Sequence, residues 1–313
     1  MNPKNWTDFY KTKSLIIESS LSVTKDTKFF AMGSCFAMEI YTALKKLNYD
    51  CFPKYIEIKI NKKQIFDKIP AERDFIAHYD IQSIKQEFES ALGLFKNQDR
   101  EKGYYEVTNM PVNKFLSSSS VFQDPHRKLC YASSMEDLID LSNKITLIIK
   151  DGIEKADVLI LTLGLIESWK NNLNNKFFCR PPNTGYGGGD GFGEFHLTNF
   201  EENYKDLTSL IHLIQSNFPK KHVVISVSPV PLQLTYRNCD VYTANMESKS
   251  LLRSLAGRVC AENSNFVTYF PSYELASLNP YNLVFGEDGR HINKEFAEFV
   301  INFFIERFTL KKN

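Results

Sequence analysis

No stretch of roughly 18 or more uncharged apolar residues occurs in the 313-residue chain, so no segment is read as a membrane-crossing helix. The first residues, MNPKNWTDFYKTKS, lack the apolar centre of a secretory leader. No long run of one charge sign appears, and Lys+Arg 38 against Asp+Glu 37 leaves a formal net charge of +1. That balance argues against a nucleic-acid or anionic-membrane partner. The six cysteines are scattered, with no CxxC pair and no Cys/His group at zinc spacing, so no metal site is assigned. Reduced thiols in a cytoplasmic protein are the expectation. Internal repeats and low-complexity tracts are also missing. What the chain does have is apolar bulk: 43% hydrophobic residues, with 25 Phe and 15 Tyr, enough for a substantial core.

The pattern along the chain alternates between strand and helix. Lys28–Gly33 (KFFAMG) reads as a buried strand, followed by helical spacing over Cys35–Asn48, with Asn48 as a left-handed stop. Asp50–Pro53 and Tyr55–Ile60 are strand or loop. Residues 61–150 read as mainly helical and polar, an insertion or cap without a clean sheet signal, with a loop at Ser117–Ser120. Asp157–Gly164 (DVLILTLG) is apolar on both faces, as in a parallel sheet covered on both sides. Helices are expected over Glu201–Ser216, Met246–Glu262 and Lys294–Phe308, and strands over His222–Pro229 and Asn265–Tyr269. This alternation predicts an α/β fold: one domain over 1–313, a three-layer α/β/α flavodoxin-like parallel sheet with the helical insertion at 61–150.

In such a sheet, ligands collect beyond the carboxyl ends of the strands. Four segments fall there: Gly33-Ser34-Cys35, Gly164 onwards, Ser228-Pro229, and the late loop Phe285–Asn293. A glycine followed by two nucleophile-capable residues, between a strand and a helix, aims side chains into the crevice. The helix N-terminus there favours negative charge and supplies N–H donors to an oxyanion. The bland alternative is that Ser34 caps the helix and Cys35 is a small core residue, the commoner fate of such residues. In Asp288-Gly-Arg-His291, a histidine three residues after an aspartate can be a base steered by its own carboxylate. The alternative there is an exposed turn.

The stretch GSCFA at Gly33–Ala37 is identical to the signature of the GSCFA family, a branch related to the SGNH/GDSL hydrolases. Thr162-Leu163-Gly164, SVSPV at Ser226–Val230, Ser248-Lys249-Ser250 and YFPSYE at Tyr269–Glu274 resemble the same pattern in order, and Asp288-x-x-His291 resembles the terminal D-x-x-H block of SGNH enzymes. The matches run from about 29 to 293. SGNH enzymes typically read Gly-Asp-Ser after the first strand; laid over this chain, the nucleophile position falls on Cys35 and the aspartate position on Ser34. Two departures stand out. The Gly-x-Asn block reads Gly164-Leu165-Ile166, and Ile166 cannot donate to an oxyanion, so Glu167, backbone N–H groups or another side chain must serve. A Cys-His-Lys found near the middle of many family members is Cys179-Arg180-Pro181 here.

The resemblance implies an acyl-ester hydrolase or O-acyltransferase acting on a saccharide or cell-envelope glycan. Cys35, with Ser34 as second choice, would attack; His291 would move the proton and Asp288 would orient it. Gly33, Gly164, Glu167, Arg180, Ser228 and Lys249 are the oxyanion and substrate-binding candidates. No cofactor is expected, with acyl-CoA as the donor if the protein transfers. A capsule or lipopolysaccharide transferase that keeps the SGNH shell without hydrolysis is the alternative, and a catalytically silent glycan-binding protein is another. The Gly-rich stretch Gly185–Gly193 fits neither a dinucleotide nor a Walker fingerprint and reads as a mobile loop; as a lid, it would stack Tyr186 and Phe192 on a sugar. Arg237 is a further anion-binding candidate. His126 ranks below His291 because nothing in sequence orients it, and His78, His196, His212 and His222 are expected to be solvated or capping. Trp6 and Trp169 are expected to pack, Trp169 close enough to the third block to line a pocket.

Overall fold

The computed structural model describes residues 4–12, 15–59, 75, 77–107, 120–182 and 191–309. Short α1 (Trp6–Thr12) precedes the first strand, β1 (Lys28–Gly33), and α2 (Cys35–Lys46) leads to β2 (Asp50–Phe52). Next come α3 (Ile81–Ala91), α4 (Asn97–Glu101), the two-residue strands β3 (Tyr105–Glu106), β4 (Phe122–Gln123) and β5 (Tyr131–Ala132), and α5 (Met135–Lys155). Strand β6 (Val158–Leu163) is followed by β7 (Glu167–Asn171), β8 (Phe177–Phe178), β9 (Gly193–Leu197) and α6 (Phe200–Asn217). The chain closes with β10 (His222–Val227), α7 (Val241–Glu262), β11 (Val267–Tyr269), α8 (Ser272–Ser277), α9 (Tyr281–Val284) and α10 (Lys294–Phe308).

The main sheet is parallel, in the order β2-β1-β6-β10-β11, which is 2-1-3-4-5 in chain order and the flavodoxin-like arrangement expected from sequence. Its side chains obey a period of two. Phe30, Met32, Leu159, Leu161, Val223 and Ile225 enter a core built with α3, α5, α6 and α7, whereas Phe29, Ala31, Val158, Ile160 and Val224 enter a second core with α2 and α10. Both faces are therefore covered, and all of β6 is buried.

Several expectations shift in detail. Tyr55–Glu57 is a 3₁₀ turn rather than a strand. The described part of 61–150 contains the three helices α3, α4 and α5, and also a small antiparallel sheet, β3-β4-β5, whose two-residue strands are too short to show a period. Trp6 does not pack into a core; it is 75% exposed. His78, expected at the surface, is fully buried beside Glu87. Ser117–Ser119 of the expected loop and most of the Gly-rich stretch, Tyr186 included, lie outside the described residues; Phe192 packs on Tyr105, with ring centroids 5.4 Å apart. Among the described residues, no helix is long and apolar enough to cross a membrane.

The turn from β1 into α2 requires glycine. Gly33 has φ +137, and a Cβ there would lie 2.2 Å from the Thr162 carbonyl oxygen. Ser34 N donates to that same oxygen (3.0 Å), and His78 N donates to Gly33 O (2.6 Å). Gly33→Ala combines left-handed strain with a backbone clash and is expected to cost about 2–5 kcal/mol. Gly93→Ala (φ +74, with open space around its Cβ) carries only the strain and is expected to cost about 1 kcal/mol. Urea denaturation of the two variants checks the difference; equal losses would show that the Thr162 contact yields easily.

Candidate active site

A cavity of about 250 Å³ opens beyond the carboxyl ends of β1 and β6, where the strand order reverses. Ser34, Cys35 and Gly164 line it from the two strand ends, Tyr79 and Asp80 from the segment before α3, Ser168, Trp169 and residues 178–181 from the β8-β7-β9 sheet, residues 230–234 and Tyr236 from the loop after β10, and Arg290 and His291 from the late loop. Ser34, Cys35, Gly164, Glu167, Arg180 and His291 are thus brought together from positions spread over more than two hundred and fifty residues of chain.

At the corner the two nucleophile candidates differ. Ser34 is buried and is the N-cap of α2: its Oγ accepts from Phe36 N (3.3 Å) and shares a hydrogen bond with Thr162 Oγ1 (3.1 Å). Its oxygen is committed to the fold. Cys35 is half-buried at the first position of the helix, and its Sγ donates to the Tyr79 phenol oxygen at 3.6 Å. Burial pushes the Tyr79 phenol up, so it stays protonated beside the sulfur. Among the described residues, neither the N–H of Cys35 nor that of Gly164 makes a hydrogen bond, so both are available to an oxyanion. The other cavity cysteine, Cys179, is buried, and burial pushes its thiol well up.

In the late loop, Asp288 Oδ1 accepts the N–H groups of His291 (3.0 Å) and Arg290 (3.1 Å), while Oδ2 meets His291 Nδ1. The backbone donors, led by His291 N, hold the Asp288 carboxyl down at about 2, so it is ionised at any working pH. On the far side of the ring, Arg290 Nη2 lies 3.2 Å from His291 Nε2. A guanidinium has only donors, so Nε2 must accept and Nδ1 must carry the proton. That tautomer presents a lone pair at Nε2, as a base requires. Cys35 and His291 line one cavity, but the Cys35 hydrogen bond runs to Tyr79 and that of Nε2 to Arg290.

The remaining candidates take other places. Glu167 borders the cavity, yet its carboxylate accepts from Thr235 Oγ1 (2.6 Å) and Tyr236 N (3.1 Å). It is an acceptor that pins the Tyr236 loop, not an oxyanion donor. Tyr236 then stands edge-on to Trp169, with centroids 5.0 Å apart, forming an aromatic wall. Ile166 is buried in the core, with its carbonyl taken by Thr198. Ser228 is fully buried, and its Oγ accepts from Val230 N (3.2 Å), so it serves a local turn and not a substrate. Gly33 lies behind the corner, and Arg237 pairs with Glu247. His126 is buried, with Nδ1 on the Phe177 carbonyl at 3.0 Å, and burial lowers it to about 4; it belongs to the packed region around Phe178. His196 and His222 bond Glu202 and Thr268.

Asp80 is a cavity residue that sequence reading missed. As N-cap of α3 it accepts from Ser83 N (2.7 Å), and burial lifts its carboxyl to about 6. Asp80-x-x-Ser83 signals only a helix start, and nothing local shows that it borders the cavity. Among the described residues, no group of three or more His, Cys, Asp and Glu side chains is arranged to hold a metal ion.

Lys249 is the other surprise. It comes up from α7, is 1% exposed and does not line the cavity; its Nζ donates to Gly164 O at 2.7 Å. Loss of solvent lowers its ammonium to about 7, offset in part by the nearby Cys35. Since the folded value lies below that of the unfolded chain, burial of this group costs most stability at or below pH 7, and the cost fades as pH rises towards 10.5. Lys249→Met is therefore expected to melt at or above the wild-type temperature at pH 7, with the difference shrinking by about pH 10. A lower midpoint that is independent of pH would show that the Gly164 hydrogen bond outweighs desolvation.

Comparison with known proteins places the chain. No curated protein matches it. Among solved structures, it is similar to a family 3 carbohydrate esterase of Clostridium thermocellum, at 11% identity over 90% of this chain and 94% of that one, with TM-score 0.36. A family two carbohydrate esterase from the same organism, in complex with cellohexaose, gives 12% identity over 91% of this chain and 65% of that one (TM-score 0.32). A family 2 carbohydrate esterase of Corynascus thermopiles (Myceliophthora fergusii) with a carbohydrate binding domain gives 12% identity over 49% of this chain (TM-score 0.29), and the match spans 36% of its length. A model of the GSCFA family matches residues 28–304, and the chain belongs to that family.

Proposed function

We propose that the protein is an acyl-ester hydrolase acting on an acylated saccharide through a thioester on Cys35. The observation that carries this reading is the meeting, in one cavity, of a cysteine at a helix N-terminus and a histidine whose tautomer is set by an ionised aspartate. Nε2 of His291 takes the Cys35 proton, and the sulfur attacks the ester carbonyl. The N–H groups of Cys35 and Gly164 hold the oxyanion, in place of the side-chain donor that Ile166 cannot supply. Collapse breaks the ester C–O bond, the leaving sugar oxygen takes the proton from His291, and the thioester is then hydrolysed by water. The Trp169–Tyr236 wall offers a stacking face for a sugar ring. If an acceptor hydroxyl replaces water, the same site is an O-acyltransferase with acyl-CoA as a possible acyl source.

Cys35→Ala and His291→Ala are each expected to lower p-nitrophenyl acetate hydrolysis by about three orders of magnitude. Ser34→Ala is expected to lose about 1 kcal/mol of stability, from the helix cap, and to keep turning over. A dead Ser34→Ala with an active Cys35→Ala reverses the nucleophile assignment. Running the assay with acetyl-CoA and an acceptor glycan separates the activities: turnover only with acceptor indicates transfer, and glycan binding without turnover indicates a silent binding protein.

A further inference from the structure

The cavity is lined by two guanidinium groups, those of Arg180 and Arg290, that pair with no carboxylate among the described residues. Arg100, Arg127, Arg237, Arg253 and Arg258 each pair with a glutamate. Arg180 forms no ion pair or hydrogen bond among the described residues, although its charge is felt by Tyr79, Cys179 and Tyr236 around the cavity. Among the described residues, the only side-chain partner of Arg290 is His291 Nε2. Neither acid of the cavity pairs with these arginines: both Glu167 oxygens accept from Thr235 and Tyr236, and Asp80 is buried with one oxygen on Ser83 N. Unmatched arginines at a sugar-sized cavity favour a planar anion that can take two hydrogen bonds at once.

The position of Arg290 adds a mechanistic consequence. It donates to the same Nε2 lone pair that must take the Cys35 proton, so Arg290 covers the base. Imidazole nitrogen is a neutral acceptor, and a carboxylate or phosphate is a stronger partner for a guanidinium. We propose that the ester substrate of this site is an anionic saccharide, a sugar bearing a carboxylate or phosphate bound by Arg180 and Arg290, and that its capture of Arg290 uncovers His291 Nε2. Arg290 is then a positioning and specificity residue, acting through His291. The coupling to turnover rests on the esterase reading, while the anion site itself does not.

The test uses the full chain with methyl glucuronoside, glucose phosphate and neutral methyl glucoside as probes in titration calorimetry, and the acetyl esters of the same sugars for turnover. The charged sugars are expected to bind about tenfold or more tighter than the neutral one, and Arg180→Gln and Arg290→Gln each to remove most of that preference. The better of the two charged sugars identifies the anion. On p-nitrophenyl acetate, which carries no anion, Arg290→Gln is expected to turn over faster than the wild type because Nε2 is no longer covered. Equal binding of charged and neutral sugars overturns the proposal, whether or not any ester is hydrolysed. A slower Arg290→Gln on p-nitrophenyl acetate overturns the uncovering step. Absence of ester turnover with the binding preference intact counts against the esterase reading alone and leaves the anion site standing.

Discussion

Everything at the site depends on how closely the backbones of β1 and β6 approach at their carboxyl ends. Gly33 sits where a Cβ would strike the Thr162 carbonyl, and Gly164 where a Cβ would lie 2.6 Å from Tyr79 O and 3.3 Å from Ser34 Cβ. The two glycines let three segments share a space that side chains would fill. Ser34 N bonds Thr162 O, His78 N bonds Gly33 O, and Leu165 N bonds Tyr79 O. That knot determines where Cys35 emerges and why Tyr79 meets its sulfur. Loosening it would move Cys35, Gly164 and Tyr79 together.

Electrostatics then follow from what this packing encloses. Burial shifts the titratable groups around the corner: the Tyr79 phenol is pushed up, Asp80 is lifted to about 6, and Lys249 is lowered to about 7. His291 is different, because its loop is exposed and its order comes from local hydrogen bonds instead of burial. One wall of the site is thus preorganised by the core and the other by a four-residue turn. The second is the wall free to respond to a ligand, and there Arg290 competes for the base.

What could be read from sequence follows the same division. β1, β6 and β10 are legible because apolar runs on two buried faces leave a distinct pattern, and their alternation with helices points to a parallel α/β sheet, whereas the order 2-1-3-4-5 is seen only in the structure. Asp288 and His291 are legible because a turn of this kind is closed within four residues. By contrast, Tyr79 reaches Cys35, and Asp80 the cavity, only through tertiary packing of the stretch before α3, and Lys249 is a charged residue on a helix, where burial is the rare outcome. Ser228 and Glu167 were legible as polar residues at strand ends but not as residues already satisfied. Ser228 bonds its own turn, and Glu167 bonds Thr235, sixty-eight positions away. Short strands such as β3 and β4 carry no period to detect.

The choice between serine and cysteine at the corner follows from this accounting. In the Gly-Ser-Cys arrangement the serine hydroxyl is the N-cap of α2 and the partner of Thr162, so its oxygen is needed to hold the knot. The next residue is the first whose side chain is free of that duty, and it faces the cavity at the positive end of the helix. A hydroxyl there would depend more on a strong base, and His291 Nε2 is shared with Arg290. A thiol needs less activation than an alcohol, and a buried ammonium on the far side of Gly164 favours the negative charge that forms on sulfur or on the oxyanion. On the proposed reading, cysteine at position 35 and a base covered by arginine are therefore compatible features of one site, because a thiol tolerates a partly shielded base.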